Sequence, residues 1–169
     1  MTKKKTQIPK VRSKVQSGDL STPEQKVLDD VEKYGWHVLK ILEEEEKPRW
    51  SFTIGLYRTF GCPEIIIFGM SPNAAHQILN YIGEQIKDGR NFQINEMYSD
   101  IFEERNCIFR PVKEKWYGAF LGFAEWFYQG KGFPTIQCFW PDREGRFPWD
   151  KGYEFAKIPS GCQPSLFAD

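Results

Sequence analysis

A chain of 169 residues, 40% hydrophobic and 16% aromatic, has the length for one domain and ample apolar material for its core. No apolar run approaches the roughly eighteen residues of a membrane span, and the N-terminus lacks the apolar segment of a secretory signal, so the expected setting is cytoplasmic. Basic and acidic residues cancel at 23 each, but unevenly: Lys3, Lys4, Lys5, Lys10, Arg12 and Lys14 crowd residues 1–20, and Glu43 to Glu46 form an acidic run. The basic stretch reads as a disordered, solubilising tail ahead of a single domain at 21–169. With no basic face interleaved with aromatics in the rest of the chain, nucleic-acid binding through the tail is not expected.

In chain order, Thr22 opens the first helix, with Pro23 at its first position, Gln25 closing a capping box and Gly35 ending it. Its buried stripe is Val27, Leu28 and Val31. Trp36–Leu42 and Trp50–Tyr57 read as strands of an antiparallel hairpin with a long loop, and Gly55 marks a bulge or a close backbone approach. Glu64–Phe68 is an apolar, β-branched run suited to a central buried strand. Ser71 and Pro72 start the clearest helix, where Ala75, Ile78, Leu79, Ile82 and Ile86 recur at the helical period until Gly89. Residues 92–112 hold one or two strands, the better being Cys107–Val112, with Pro111 at an edge or an end. Trp116–Tyr128 reads as a buried helix and Thr135–Trp140 as the last clear strand. A short Tyr153–Ile158 segment and a tail kept extended by Pro159 and Pro164 follow. The expected fold is α/β of the α+β kind: a mixed, largely antiparallel sheet of about five strands packed with three helices.

The segments Trp50-Ser-Phe-Thr-Ile-Gly-Leu56, Cys62-Pro-Glu-Ile-Ile-Ile-Phe-Gly69 and Trp140-Pro-Asp-Arg-Glu-Gly-Arg-Phe-Pro-Trp149, with the closing Gln163-Pro164, carry a resemblance. Together they resemble a bacterial family known as domain of unknown function number 4262, over roughly residues 25–166. The resemblance implies the domain and no activity. In that family histidine often precedes the Pro-Glu pair; Cys62 stands there in this chain, which speaks against an obligatory metal or acid/base role at that position.

The sequence carries no GxGxxG or GxxxxGK[ST] fingerprint, and its four cysteines, Cys62, Cys107, Cys138 and Cys162, form no CxxC pair, so no metal is expected. Cys107 and Cys138 read as small core residues, and Cys62 as the most plausible reactive thiol if exposed. His37 and His76 lack the companions that acid/base chemistry requires. The best candidate site is the proline-stiffened Trp140–Trp149 segment, where Trp140, Asp142, Arg143, Arg146 and Trp149 combine the side chains most enriched at binding hot spots. Against this stands a purely structural role, an Asp142–arginine pair locking a turn. Glu64, entering an apolar strand, is either a base of raised pKa or the partner of an arginine such as Arg58 or Arg110. The leading expectation is a binding module that recognises a protein or a small anionic ligand through Trp140–Trp149 and the Phe60–Glu64 loop. The alternative is a small-molecule enzyme with Glu64 or Asp142 as acid/base, Arg143 or Arg146 as anion clamp, and conceivably a flavin or nucleotide cofactor.

Overall fold

The computed structural model describes residues 20–42, 47–155 and 162–169. Apart from Leu20, the expected basic tail lies outside these residues, as do the Glu43–Glu46 run and the end of the Tyr153–Ile158 segment.

The elements are α1 (Thr22–Tyr34), β1 (His37–Ile41), β2 (Trp50–Ile54), α2 (Leu56–Phe60), β3 (Glu64–Phe68), α3 (Pro72–Lys87), β4 (Met97–Phe102), β5 (Arg105–Pro111), a 3-10 turn (Glu114–Trp116), α4 (Tyr117–Phe120), α5 (Gly122–Tyr128) and β6 (Thr135–Phe139). The six strands form one sheet in the order β1-β2-β3-β6-β5-β4. Only β3 and β6 pair in parallel; the other pairs are antiparallel. The α+β architecture agrees with the sequence reading, with one strand and two α-helices more than expected.

The differences have local causes. At α1 the capping box is shifted by one residue. Ser21 accepts from the Glu24 N–H, and the Glu24 carboxylate accepts from the Ser21 N–H. At Gly55 the second strand stops rather than running to Tyr57, because φ of 110° turns the chain directly into α2. A Cβ there would lie 2.8 Å from the Gly35 carbonyl oxygen, so the expected close backbone approach is real. The helix expected over Trp116–Tyr128 breaks at Leu121, whose φ of −126° is not helical, between Gly118 and Gly122. Pro111 ends β5, which lies inside the sheet, and there its missing N–H interrupts nothing further along.

Both faces of the sheet are covered. Ile65, Ile67, Cys107, Phe109, Ile136 and Cys138 meet Ala75, Leu79, Ile82 and Ile86 of α3 on one face. Phe52, Ile54, Ile66 and Phe68 meet α1, α4 and α5 on the other. Cover from both sides explains why β2, β3 and β6 are buried along their whole length. On that second face, Ile108 and Phe139 pair across β5 and β6 and are roofed by Phe147 and Phe167, from the segments after β6 rather than from a helix. Among the described residues no helix is long and apolar enough to cross a membrane.

Candidate functional site

The Trp140–Trp149 segment leaves the C-terminal end of β6 and folds around Asp142. One carboxylate oxygen accepts the backbone N–H groups of Glu144 and Arg146, each at 2.9 Å. The other accepts Arg146 Nε at 3.0 Å and the Glu154 N–H at 2.9 Å. The residue is only 3% exposed. Burial pushes its pKa upward, but the four hydrogen bonds outweigh it and hold the carboxyl at about 2. Trp140 is also held inside the fold: its indole N–H donates to the Phe68 carbonyl, and its backbone exchanges hydrogen bonds with the Gln163 side chain. Arg143 points outward, 78% exposed in its side chain, and pairs with Glu154 at 2.9 Å.

Glu64 occupies a different environment. It is fully buried, and it caps a helix that has no cap of its own. Gly55, the N-cap of α2, has no side chain, so Glu64 Oε1 accepts the N–H groups of Gly55 at 2.7 Å and Tyr57 at 3.2 Å. The Tyr128 hydroxyl donates to the same oxygen, and the Thr53 hydroxyl donates to Oε2 at 2.6 Å. Burial raises the Glu64 pKa despite these four donors. Burial and the Glu64 charge likewise raise Tyr128. Cys62, half-buried, is raised by the same two causes, which weakens it as a thiolate nucleophile. Neither arginine expected as a partner meets the carboxylate. The Arg58 guanidinium lies over the Phe127 ring, and that of Arg110 lies over the Trp149 and Phe167 rings.

These two groups do not converge. Glu64 pairs in register with Thr135, and β3 and β6 run parallel, so Asp142 lies seven residues further along the β6 direction, at the other end of the sheet. At about 3.3 Å per residue the strand from Thr135 to Phe139 alone spans about 13 Å, and Asp142 lies beyond its end.

Besides the exposed turn at Arg143–Gly145, the segment exposes an aromatic ring at its far end. Trp149 is 39% exposed, stacked on Phe147 with ring centroids 5.2 Å apart and packed edge-on against Phe139 and Phe167. The Arg110 guanidinium lies 4.6 Å from its ring centroid, a cation–π geometry. Arg110 Nη1 donates to Asn95, its Nε is buried without a partner, and no carboxylate pairs with it among the described residues. Met97, 54% exposed, pairs in register with Ile108 on the same face of the sheet as Arg110. In the sequence Arg110 stood only as a candidate partner of Glu64 and Met97 gave no signal, since the ring that Arg110 covers and the register that sets Met97 opposite Ile108 exist only in the folded sheet. Among the described residues no three His, Cys, Asp or Glu side chains cluster to hold a metal ion.

A protein-family model described as "Domain of unknown function (DUF4262)" matches residues 30–154. No curated protein and no solved structure matches the chain.

Proposed function

The chain belongs to this DUF4262 family, and from that premise we propose that it is a binding module, recognising a protein segment that presents a carboxylate to the Arg110–Trp149 face. The observation that carries the proposal is an arginine stacked on a half-exposed tryptophan with no acidic partner of its own among the described residues. Arginine and tryptophan side chains dominate binding hot spots, and a guanidinium grips a carboxylate through two parallel hydrogen bonds. Exposed Met97 extends the surface with adaptable apolar area. The Asp142 lock fixes the path of the loop that delivers Trp149, so less ordering remains to be done on binding. On this reading Trp140, Asp142 and Arg146 support the surface from within, and Trp149, Arg143 and Arg110 meet the partner. The alternative, proton transfer at Glu64 or Asp142, finds less support, because both carboxylates already accept four hydrogen bonds from the fold. The proposed setting is the bacterial cytoplasm, whose reducing poise suits the free, buried thiols of Cys107 and Cys138.

Selection of a random peptide library against the full chain tests the proposal. Enriched peptides are expected to carry an aspartate, a glutamate or a terminal carboxylate beside an apolar residue. Their binding is expected to fall at least tenfold in Arg110→Ala, Trp149→Ala and Met97→Ala, each checked for folding by circular dichroism. Enriched peptides without acidic groups, or binding indifferent to all three variants, would overturn it.

A further inference from the structure

Both histidines of the chain line one cleft of about 520 Å³ between α1, β1 and α3, together with Lys26, Asp30, Lys40 and Asn80. Each ring is oriented by a partner on one nitrogen. His37 Nδ1 lies 2.7 Å from Asp30 Oδ2; an ionised carboxylate only accepts, so Nδ1 carries a proton and Nε2 is the ring nitrogen left for a ligand. Lys26 binds the other oxygen of Asp30 at 2.8 Å and offsets its charge. The second ring is fixed from the core. The indole N–H of buried Trp36 donates to Asn80 Oδ1 at 3.0 Å, which sets the orientation of the amide. Asn80 Nδ2 must then donate to His76 Nε2, 3.2 Å away, so the His76 proton sits on Nδ1. Desolvation, followed by the charges of Lys40 and His37, holds His76 below its ordinary pKa and favours this neutral form.

The cleft therefore offers one imidazole as acceptor and one as donor, with the Lys40 ammonium near His76 on the α3 side of β1. Few small anions match that pattern, because most can only accept. We propose that the cleft binds inorganic phosphate as the hydrogen phosphate dianion, whose P–OH donates to His37 Nε2 while its other oxygens accept from His76 Nδ1–H and Lys40. Sulfate has the same charge and nearly the same shape but no proton at neutral pH, and it would set an oxygen against the His37 lone pair. A phosphate monoester, whose second proton leaves near pH ~6, behaves like sulfate at pH 8. Besides the histidines, the titratable and charged groups facing the cleft are Lys26, Asp30 and Tyr34 on α1, Lys40 on β1 and Glu84 on α3. The Lys26–Asp30 pair is internally neutral and Glu84 opposes Lys40, so discrimination falls to the two rings rather than to net charge.

The test is a titration of the full chain with inorganic phosphate, sulfate and phenyl phosphate at pH 8, following the ring nitrogens of both histidines by NMR. Saturable shifts of both rings with phosphate are expected, with sulfate and phenyl phosphate at least tenfold weaker. His76 is exposed on α3 and Lys40 exposed on β1, so His76→Ala and Lys40→Ala should each weaken phosphate at least tenfold at an unchanged melting temperature. No saturable shift, equal affinity for sulfate, or indifference to both substitutions would each overturn the proposal.

Discussion

Glu64 and Asp142 are both buried carboxylates fed by four donors, yet their surroundings give them opposite responses to pH. Asp142 is held at about 2, below its ordinary 3.8, so it stabilises the fold above that ordinary value and loses the contribution as pH falls through about 2. Asp142→Asn replaces one accepting oxygen with an amide N–H₂ set against existing donors, and is expected to lower the melting temperature at pH 7. The gap from the parent should narrow as pH approaches 2; thermal melts across pH 2–7 check this, and a gap that widens on acidification contradicts it. The Glu64 pKa is raised above its ordinary 4.5, with burial the leading cause. Its stabilising contribution is therefore complete below about 4.5 and is lost as pH rises through the folded-state value. Oε1 takes three of the four donors, leaving Oε2 with Thr53 alone, so a protonated Oε2 donates a hydrogen bond to the Thr53 hydroxyl oxygen, which also accepts from the Ile65 N–H. Glu64→Gln places an amide N–H₂ at that position and should gain on the parent steadily from pH 4 to pH 8. Glu64→Ala strands two backbone N–H groups and two hydroxyls, at a cost of about 3 kcal/mol or more by chemical denaturation. If the parent instead gains on Glu64→Gln toward neutral pH, the donors outweigh burial and the raised pKa is wrong. The importance of both residues was legible in the sequence, but their function was not. Glu64 stood out as a charge in an apolar strand, whereas its donors come from β2, α2 and α5, which only the folded chain brings together.

Among the elements, α3 was the clearest in the sequence, and the structure keeps its bounds from Pro72 to Lys87. An apolar stripe at helical spacing, a serine cap and a proline at the start all point the same way, and such agreement makes an element legible. What periodicity could not show is why the helix carries Gly83. A Cβ there would lie 2.6 Å from the Trp36 indole, so the glycine lets α3 lie against that ring. The same contact lets Trp36 reach Asn80, one turn earlier on the helix. In an exposed helix Gly→Ala stabilises by about 1 kcal/mol. Here Gly83→Ala should destabilise by about 1–3 kcal/mol through overpacking, measured by denaturant unfolding, and should shift the His76 ring resonances by disturbing Asn80. A stabilised variant would mean that the indole has room to move. The Trp116–Tyr128 stretch was harder to read for the converse reason. Its aromatic residues suggested one helix, while two glycines let Leu121 leave the helical region and join the core on that face of the sheet.

At the scale of the whole molecule, the sheet order sets the two proposed sites apart. The histidine cleft is built on β1 and the Trp149 face on β5 and β4, at opposite edges of six strands. Five inter-strand spacings of about 4.8 Å separate those edges by roughly 24 Å. Order along the chain could not reveal this, because β6, last in sequence, lies between β3 and β5 and carries the Trp140–Trp149 segment away from the hairpin that holds His37. Sites this far apart, sharing no side chain, respond additively to substitution unless a two-state element links them. The strands between them, β2, β3 and β6, are buried along their whole length and joined in continuous register. Trp149→Ala should therefore leave phosphate affinity unchanged, and His76→Ala should leave peptide affinity unchanged. The double variant should lose both by the product of the single losses, within a factor of about two, corresponding to the 0.3–0.5 kcal/mol typical of independent sites. Isothermal titration of each ligand in the presence of the other provides the same check without substitution. A change in phosphate affinity when peptide is bound would show that the sheet transmits between its edges, and reciprocity then requires peptide affinity to change by the same factor.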